Sequence, residues 1–152
     1  MPIENVFFKK SNKNKLLNKI LYFIKISKAK EVMLSFEVQT SYENVLKLKK
    51  DLKNKYFQIT FDVGNIFIID NNNKSLMTYL NKTKNFINHI HIKDRDKEGS
   101  NVVLGTGIID FKKFFKTIKK IGYNQTFTFE TNRGKNFFLT AKKNLSFVKR
   151  KL

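Results

Sequence analysis

The sequence predicts an α/β fold in which helices alternate with parallel strands, and two observations carry that expectation. Amphipathic helical stretches and short β-rich stretches follow one another in the order α-β-α-β-α-β-α-β-α, which calls for parallel strands joined by right-handed helical crossovers. Punctuation between them is regular, with no long linker, fixed repeat or low-complexity tract, so residues 1–152 read as a single domain.

Residues 11–30 place Leu16, Leu17, Ile20, Leu21, Phe23 and Ile24 at helical spacing among lysines, with Ser11 as N-cap. A strand follows over 32–38. Thr40-Ser41-Tyr42-Glu43 has capping-box spacing, and Val45, Leu46, Leu48 and Leu52 continue an amphipathic helix to about residue 55. The next strand covers 56–63. Asn71-Asn72-Asn73 is a turn, 75–86 a helix and 87–93 a strand. After a loop rich in glycine and charge, Asp110 caps a helix carrying Phe111, Phe114, Phe115 and Ile118, which Gly122 stops. Residues 126–130 form the fourth strand and 137–148 the closing helix.

Composition narrows the function. The chain carries 31 Lys+Arg against 12 Asp+Glu, a formal net charge of +19, with 41% hydrophobic residues and 16 Phe, enough for a real core. Only Arg95, Arg133 and Arg150 are arginine, and the lysines are scattered over nearly every polar face. Lys, Asn, Ile and Phe are over-used together, a pattern that coding bias toward A and T explains more simply than a polyanionic partner, which argues against a nucleic-acid footprint. Zero Cys removes disulfides, thiolate zinc sites and thiol catalysis. No window approaches the roughly 20 apolar residues of a membrane span, and no signal peptide opens the chain, so a soluble cytoplasmic protein is expected.

The four strands share an asymmetry. Leu34 and Phe36 alternate with Ser35 and Glu37; Ile59 and Phe61 with Gln58, Thr60 and Asp62; Ile90 and Ile92 with His89, His91 and Lys93; Phe127 and Phe129 with Thr126, Thr128 and Glu130. Each strand thus sends apolar side chains to one face and polar ones to the other. A doubly wound sheet would be apolar on both. A βα barrel has this asymmetry where its interior mouth is a working site, with functional residues at the C-terminal strand ends. Glu37, Asp62, His91 and Glu130 each lie at or near such an end. On neighbouring strands they converge as three carboxylates and an imidazole, a donor set for a divalent cation. Singly, each has an ordinary reading: a cap or surface charge for the acids, a turn initiator for Asp62, a satisfied core histidine for His91.

At these residues the sequence resembles the xylose isomerase-like barrel superfamily, in its sugar-phosphate isomerase/epimerase branch. The carrying segments are FEV at 36–38, FDVGN at 61–65, HIHIKDRDKEG at 89–99, LGTGIIDF at 104–111 and IGYNQTFTFETNRG at 121–134, with the closing KKNLSFVK helix. The resemblance implies that Glu37, Asp62, His91 and Glu130 hold one metal ion, with Mn²⁺ the expected ion and Mg²⁺, Co²⁺ or Zn²⁺ as alternatives. Many members carry His where this chain has Asn65, an amide that can still hydrogen-bond a sugar hydroxyl. The matches fall on the fifth to eighth strands of an eight-fold barrel, which runs to about 250 residues. The expectation is therefore a partial (β/α)8 TIM barrel, its C-terminal half, with Met1 near the end of the fourth strand and open sheet edges at the strands of Glu37 and Glu130.

The resemblance also implies chemistry: isomerisation or epimerisation of a sugar or sugar phosphate by proton transfer next to a carbonyl, through an enediolate. Glu37 and Glu130 would serve as the catalytic base and acid. Asn65, His89, Lys93, Arg95 and Arg133 are candidate substrate contacts, Arg95 foremost because a guanidinium grips two oxygens. Gly105 and Gly107 would let the loop after the third strand pass close to the site. Expected partners are the sugar substrate and either a second copy or a complementary half-barrel. The alternatives are a non-catalytic remnant or one subunit of a split barrel, and an apurinic-site endonuclease, whose several zinc ions two histidines cannot supply.

Overall fold

The computed structural model describes residues 3–8 and 10–152; the side chains of Val6, Lys10 and Ser11 are not among those described. In chain order the elements are β1 (Ile3–Glu4), a 3-10 turn (Asn5–Phe8), α1 (Lys10–Ala29), β2 (Ser35–Gln39), α2 (Tyr42–Leu52), β3 (Gln58–Asp62), α3 (Val63–Asp70), α4 (Asn73–Thr83), a second 3-10 turn (Lys84–Phe86) and β4 (Ile87–Ile92). A two-strand hairpin of β5 (Asp94–Arg95) and β6 (Asn101–Val102) precedes α5 (Phe111–Lys120), β7 (Thr126–Phe129) and α6 (Phe137–Lys149). The strands form a parallel sheet in the order β1-β2-β3-β4-β7, a segment of barrel wall with helices on its apolar side. None of the described helices is long and apolar enough to cross a membrane.

The register aligns the two faces across the sheet. Phe36 pairs with Ile59, and Phe61 with Ile90, which pairs in turn with Phe127. On the other face Glu37 pairs with Thr60, and Asp62 with His91, which pairs with Thr128. Because side chains alternate, this register keeps Phe36, Ile59, Phe61, Ile90, Ile92 and Phe127 on one face, while a register shift between Ile59 and Thr60 sets Ile87 opposite Ile59. Between that face and the helices Phe57, Phe61, Phe114, Phe115, Leu48 and Ile90 are fully buried. Phe114 packs against Phe61, Phe111 and Phe115 at centroid distances of 6.4, 6.1 and 5.2 Å.

Helix ends follow local chemistry. Ser41 is the N-cap of α2, its hydroxyl accepting from Asn44 N at 3.5 Å, so the cap falls one residue after the Thr40 that the capping-box spacing indicates. The Thr40 hydroxyl is instead engaged with the side chains of Asn5 and Asn44. Asn71, at φ 48°, closes α3, and Asn72 opens α4 by accepting from Lys74 N and Ser75 N. Asp110 caps α5 through Lys113 N at 2.9 Å, and Gly122 at φ 68° follows its end as expected. The backbone of α1 is already helical at Lys10, so Ser11 lies inside its first turn; the Ser11 side chain is outside the described residues.

Four features depart from the sequence reading. The strand expected from residue 32 begins at Ser35, because Glu31 takes a left-handed φ of 53° and Val32 and Met33 stay exposed beside the sheet. The expected helix over 75–86 starts two residues earlier, at Asn73, and gives way to the 3-10 turn at Lys84. A helix, α3, occupies Val63–Asp70, where only a strand end and a turn are legible. Finally, β1 pairs in parallel with Val38 and Gln39 of β2, so the strand of Glu37 is not an open edge along its whole length. On the far side, no strand among the described residues pairs with the outer edge of β7, and α6 leaves Phe137 and Phe138 62% and 71% exposed.

Candidate metal centre on the polar face

The polar residues of β2, β3, β4 and β7 gather at the C-terminal ends of the strands. Glu37 lies two residues before the end of β2, Asp62 is the last residue of β3 and His91 lies one residue before the end of β4. Each offers a ligand atom within 4.8 Å of the other two. Glu130 directly follows β7; its backbone N–H donates to Ile92 O at 3.0 Å, which carries the β4–β7 ladder one residue further. Its Oε1 lies 3.1 Å from His91 Nδ1. Glu130 is thus adjacent to the cluster through His91, while the tight triad is Glu37, Asp62 and His91.

Asp62 is fully buried and serves twice. Its Oδ1 accepts from Asn65 N at 2.8 Å, which makes it the N-cap of α3, and its Oδ2 faces Lys93 Nζ at 2.9 Å and His91 Nδ1 at 3.6 Å. The turn-initiator reading and the ligand reading of Asp62 therefore both describe the same residue, one oxygen each. The Lys93 ammonium also reaches Glu130 Oε2 at 2.8 Å.

A second chain of contacts runs behind Glu37. Asn65 Nδ2 donates to Glu37 Oε1 at 2.7 Å, and Asn65 Oδ1 accepts from an Arg95 guanidinium nitrogen at 2.8 Å. Another Arg95 nitrogen donates to Gly99 O at 2.8 Å. Asn65 thus transmits the position of Arg95 to Glu37 without carrying charge itself. His89 lies one layer deeper on the same face, its two ring nitrogens 2.7 and 2.8 Å from the hydroxyls of Thr126 and Thr128, and its ring edge-on to His91 at 5.2 Å. Arg133 is exposed and lines a cavity of about 750 Å³ beside Glu130 and Thr131. A second cavity of about 460 Å³ is bordered by Glu37, His91, Ser35 and Thr60 on one side and by Ile20 and Phe23 of α1 on the other.

One organising residue escaped the sequence reading. Asp94 is fully buried, and its carboxylate accepts from the backbone N–H groups of Gly105 and Gly107 at 2.9 Å, Arg95 at 2.9 Å and Ile109 at 3.4 Å. It ties both ends of the 95–109 excursion to β4. A Cβ on Gly107 would stand 2.3 Å from Asp94 Oδ1 and from Arg95 O, which is why that position takes glycine. The legible signal was its place directly after the H-x-H-x-K run.

The electrostatics are those of a coupled cluster. Burial works to raise the Asp62 pKa, but His91, Lys93 and the Asn65 N–H outweigh it and hold the carboxyl below its ordinary value. His91 is raised, chiefly by its contact with Asp62, against burial and with the help of the Glu130 and Glu37 charges. His89 is lowered, by burial and then by His91. A raised imidazole contributes stability that is fully present below its ordinary value of 6.5 and is lost as pH rises through the raised one. A lowered carboxyl contributes stability that is present above 3.8 and is lost as pH falls through the lowered value. Without divalent ions the melting temperature should therefore peak between these limits. Asp62→Asn should flatten both flanks in a pH series of thermal melts; an unchanged profile in that variant would refute the coupling.

The donor set fits a divalent cation. Two carboxylates and an imidazole meet within coordination reach, and a cationic ammonium already lies against one of those carboxylates. Glu37, Asp62 and His91 would hold the ion, with Glu130 next to them.

Comparison with known proteins bears on family and fold. The sequence matches the family model described as xylose isomerase-like TIM barrel over residues 17–151. The chain belongs to the xylose isomerase-like TIM-barrel family. Within it, L-ribulose-5-phosphate 3-epimerase UlaE of Escherichia coli (strain K12) is 32% identical over 100 residues, 64% of this chain and 34% of that protein. The aligned stretch thus spans about a third of the length of that curated relative. Among solved structures, the 3-keto-D-glucoside 4-epimerase YcjR from E. coli superposes with a TM-score of 0.74 at 14% identity, covering 91% of this chain and 54% of that one. The probable 3-DHS dehydratase AsbF from Bacillus anthracis gives 0.78 at 13% identity, covering 97% and 60%. At those identities the likeness is one of fold, and the coverage marks this xylose isomerase-like chain as a partial barrel.

Proposed function

We propose that this chain carries the metal-binding half of a sugar-phosphate epimerase or isomerase site. The observation that carries the reading is the meeting of Glu37, Asp62 and His91 at the C-terminal ends of adjacent parallel strands, with Glu130 beside them. The 32% identity to an L-ribulose-5-phosphate 3-epimerase supports a phosphorylated ketose as the substrate class. When bound, a divalent ion, Mn²⁺ in the first instance, supplies positive charge that polarises the substrate carbonyl and favours an enediolate.

The chain's own residues do the rest. Glu37 and Glu130, approaching from β2 and β7, are placed to take a proton from the carbon next to the carbonyl and to return one to it. Asn65 fixes the Glu37 carboxylate through the 2.7 Å hydrogen bond, so its free oxygen keeps one direction. Arg95 and Arg133 are the cations placed to meet a phosphate or sugar oxygens, and His89 stays with its threonines beneath the site. The unpaired edge of β7 favours a second element of this reading: the pocket is completed by further strands, from another half-barrel or a second copy. The two histidines of this chain do not by themselves supply the ligands of a multi-zinc endonuclease centre.

The test is thermal unfolding with and without Mn²⁺ for the parent, Glu37→Gln and His91→Ala. A ligand at about 100 times its Kd adds about 2.7 kcal/mol, which for a chain of this size raises the melting temperature by roughly 5 to 10 °C. Both substitutions should abolish the rise. Equal shifts in all three proteins would remove the assigned site.

A further inference from the structure

Lys93 directly follows β4 and lies on the polar face with His89 and His91. It is buried, 7% exposed, and its ammonium bridges Asp62 Oδ2 at 2.9 Å and Glu130 Oε2 at 2.8 Å. Two carboxylates around His91 therefore each commit an oxygen to a lysine. The lysine stem needs a track to reach this depth, and Gly64 provides it. A Cβ on Gly64 would lie 2.3 Å from Lys93 Cγ and 2.8 Å from Cδ. Gly64 is the second residue of α3 and is absent from the positive-φ positions, so the backbone does not require glycine there and helix propensity favours alanine. The clash with the Lys93 stem supplies the reason for glycine.

We propose that Lys93 is a built-in rival of the divalent ion, its ammonium and the metal competing for Asp62 and Glu130. The inference rests on the metal site proposed above and goes beyond it: loading becomes an exchange of one cation for another. The lysine keeps the carboxylates neutralised and close together, and the ion must displace it to bring Glu130 into coordination. Lys93 is accordingly a positioning residue that sets metal affinity. A monovalent, tethered cation on a flexible stem can leave without carrying the strands with it, whereas an unpaired carboxylate pair would repel.

The experiment is Mn²⁺ titration of the parent, Lys93→Met and Gly64→Ala, read by the electron paramagnetic resonance signal of free Mn²⁺, together with melting temperatures in the absence of the ion. Lys93→Met should tighten the Mn²⁺ Kd at least tenfold, and without Mn²⁺ it should melt below the parent. Gly64→Ala leaves every charge in place and crowds only the stem, with Arg95 Nε, at 3.1 Å, needing to give slightly. It should tighten the Kd by threefold or more, which separates competition from a general loss of positive field and decides the matter should Lys93→Met not fold. A Kd equal to or weaker than the parent's in either folded variant overturns the proposal while leaving the metal site standing. Absence of Mn²⁺ binding in the parent and both variants would overturn the metal site itself, and the exchange with it.

Discussion

Asp94→Ala should lower stability by about 3 to 5 kcal/mol, since it strips a buried acceptor from four backbone N–H groups and each unmet buried donor costs about 1 to 3 kcal/mol before relaxation. For a chain of this length that is a fall of roughly 6 to 20 °C in melting temperature. The damage should be local first. Gly105 and Gly107 lose their acceptor, so their amide hydrogen exchange should accelerate about a hundredfold, an opening of about 2.7 kcal/mol. Arg95 shares that carboxylate through its own N–H and holds Asn65, which holds Glu37, so the loss should reach the candidate site through three successive contacts. Asp94→Asn retains one oxygen acceptor and should cost about half as much. Unchanged melting and slow glycine exchange in the alanine variant would show that the loop is held by other means.

The second large effect lies in the core. Phe114→Ala should destabilise by about 3 to 5 kcal/mol, because removing a fully buried ring leaves a cavity that its neighbours fill only in part. Phe114 sits at the junction of β3 and α5, against Phe61, Phe111 and Phe115, so the cavity opens directly beneath the strand that ends in Asp62. Phe138→Ala is the matched control: that ring is 71% exposed, and its loss should change stability by no more than about 0.5 kcal/mol. Denaturant unfolding of both variants measures the contrast. Similar midpoints would mean that the phenylalanine cluster is not where the fold is held.

These two positions also mark how far the sequence could be read. The parallel sheet and its polar face were legible because residues such as Phe61 and Asp62, or Ile90 and His91, alternate with a period that a one-sided sheet demands. The same parity put Lys93 on the polar face, but parity says nothing about reach, and the bridge to Asp62 and Glu130 depends on the stem lying over Gly64. Helix α3 was hidden because VGNIFIID is apolar nearly all round, and Val63, Gly64, Ile66 and Phe67 are all buried; a helix without a polar side has no 3.6-residue signature. The β5–β6 hairpin escaped for the opposite reason, since two residues per strand are too few to show any period. Asp94 stood in the sequence only as the residue that follows the H-x-H-x-K run. Its four acceptor contacts come from residues 95 to 109, a closure that only the folded chain displays.

The bare rim of β7 has a consequence for how the molecule keeps company with its own kind. Residues 131–152, which flank that rim, contain seven Lys and Arg and no Asp or Glu, and the two exposed phenylalanines at the start of α6 sit among them. In dilute buffer, like charge turns approaching molecules away before backbone or ring contacts form. That shield has a range of about 10 Å at 0.1 M salt and about 3 Å at 1 M. Concentrated salt strips that fence, so light scattering should report more self-association at 1 M salt than at 0.1 M.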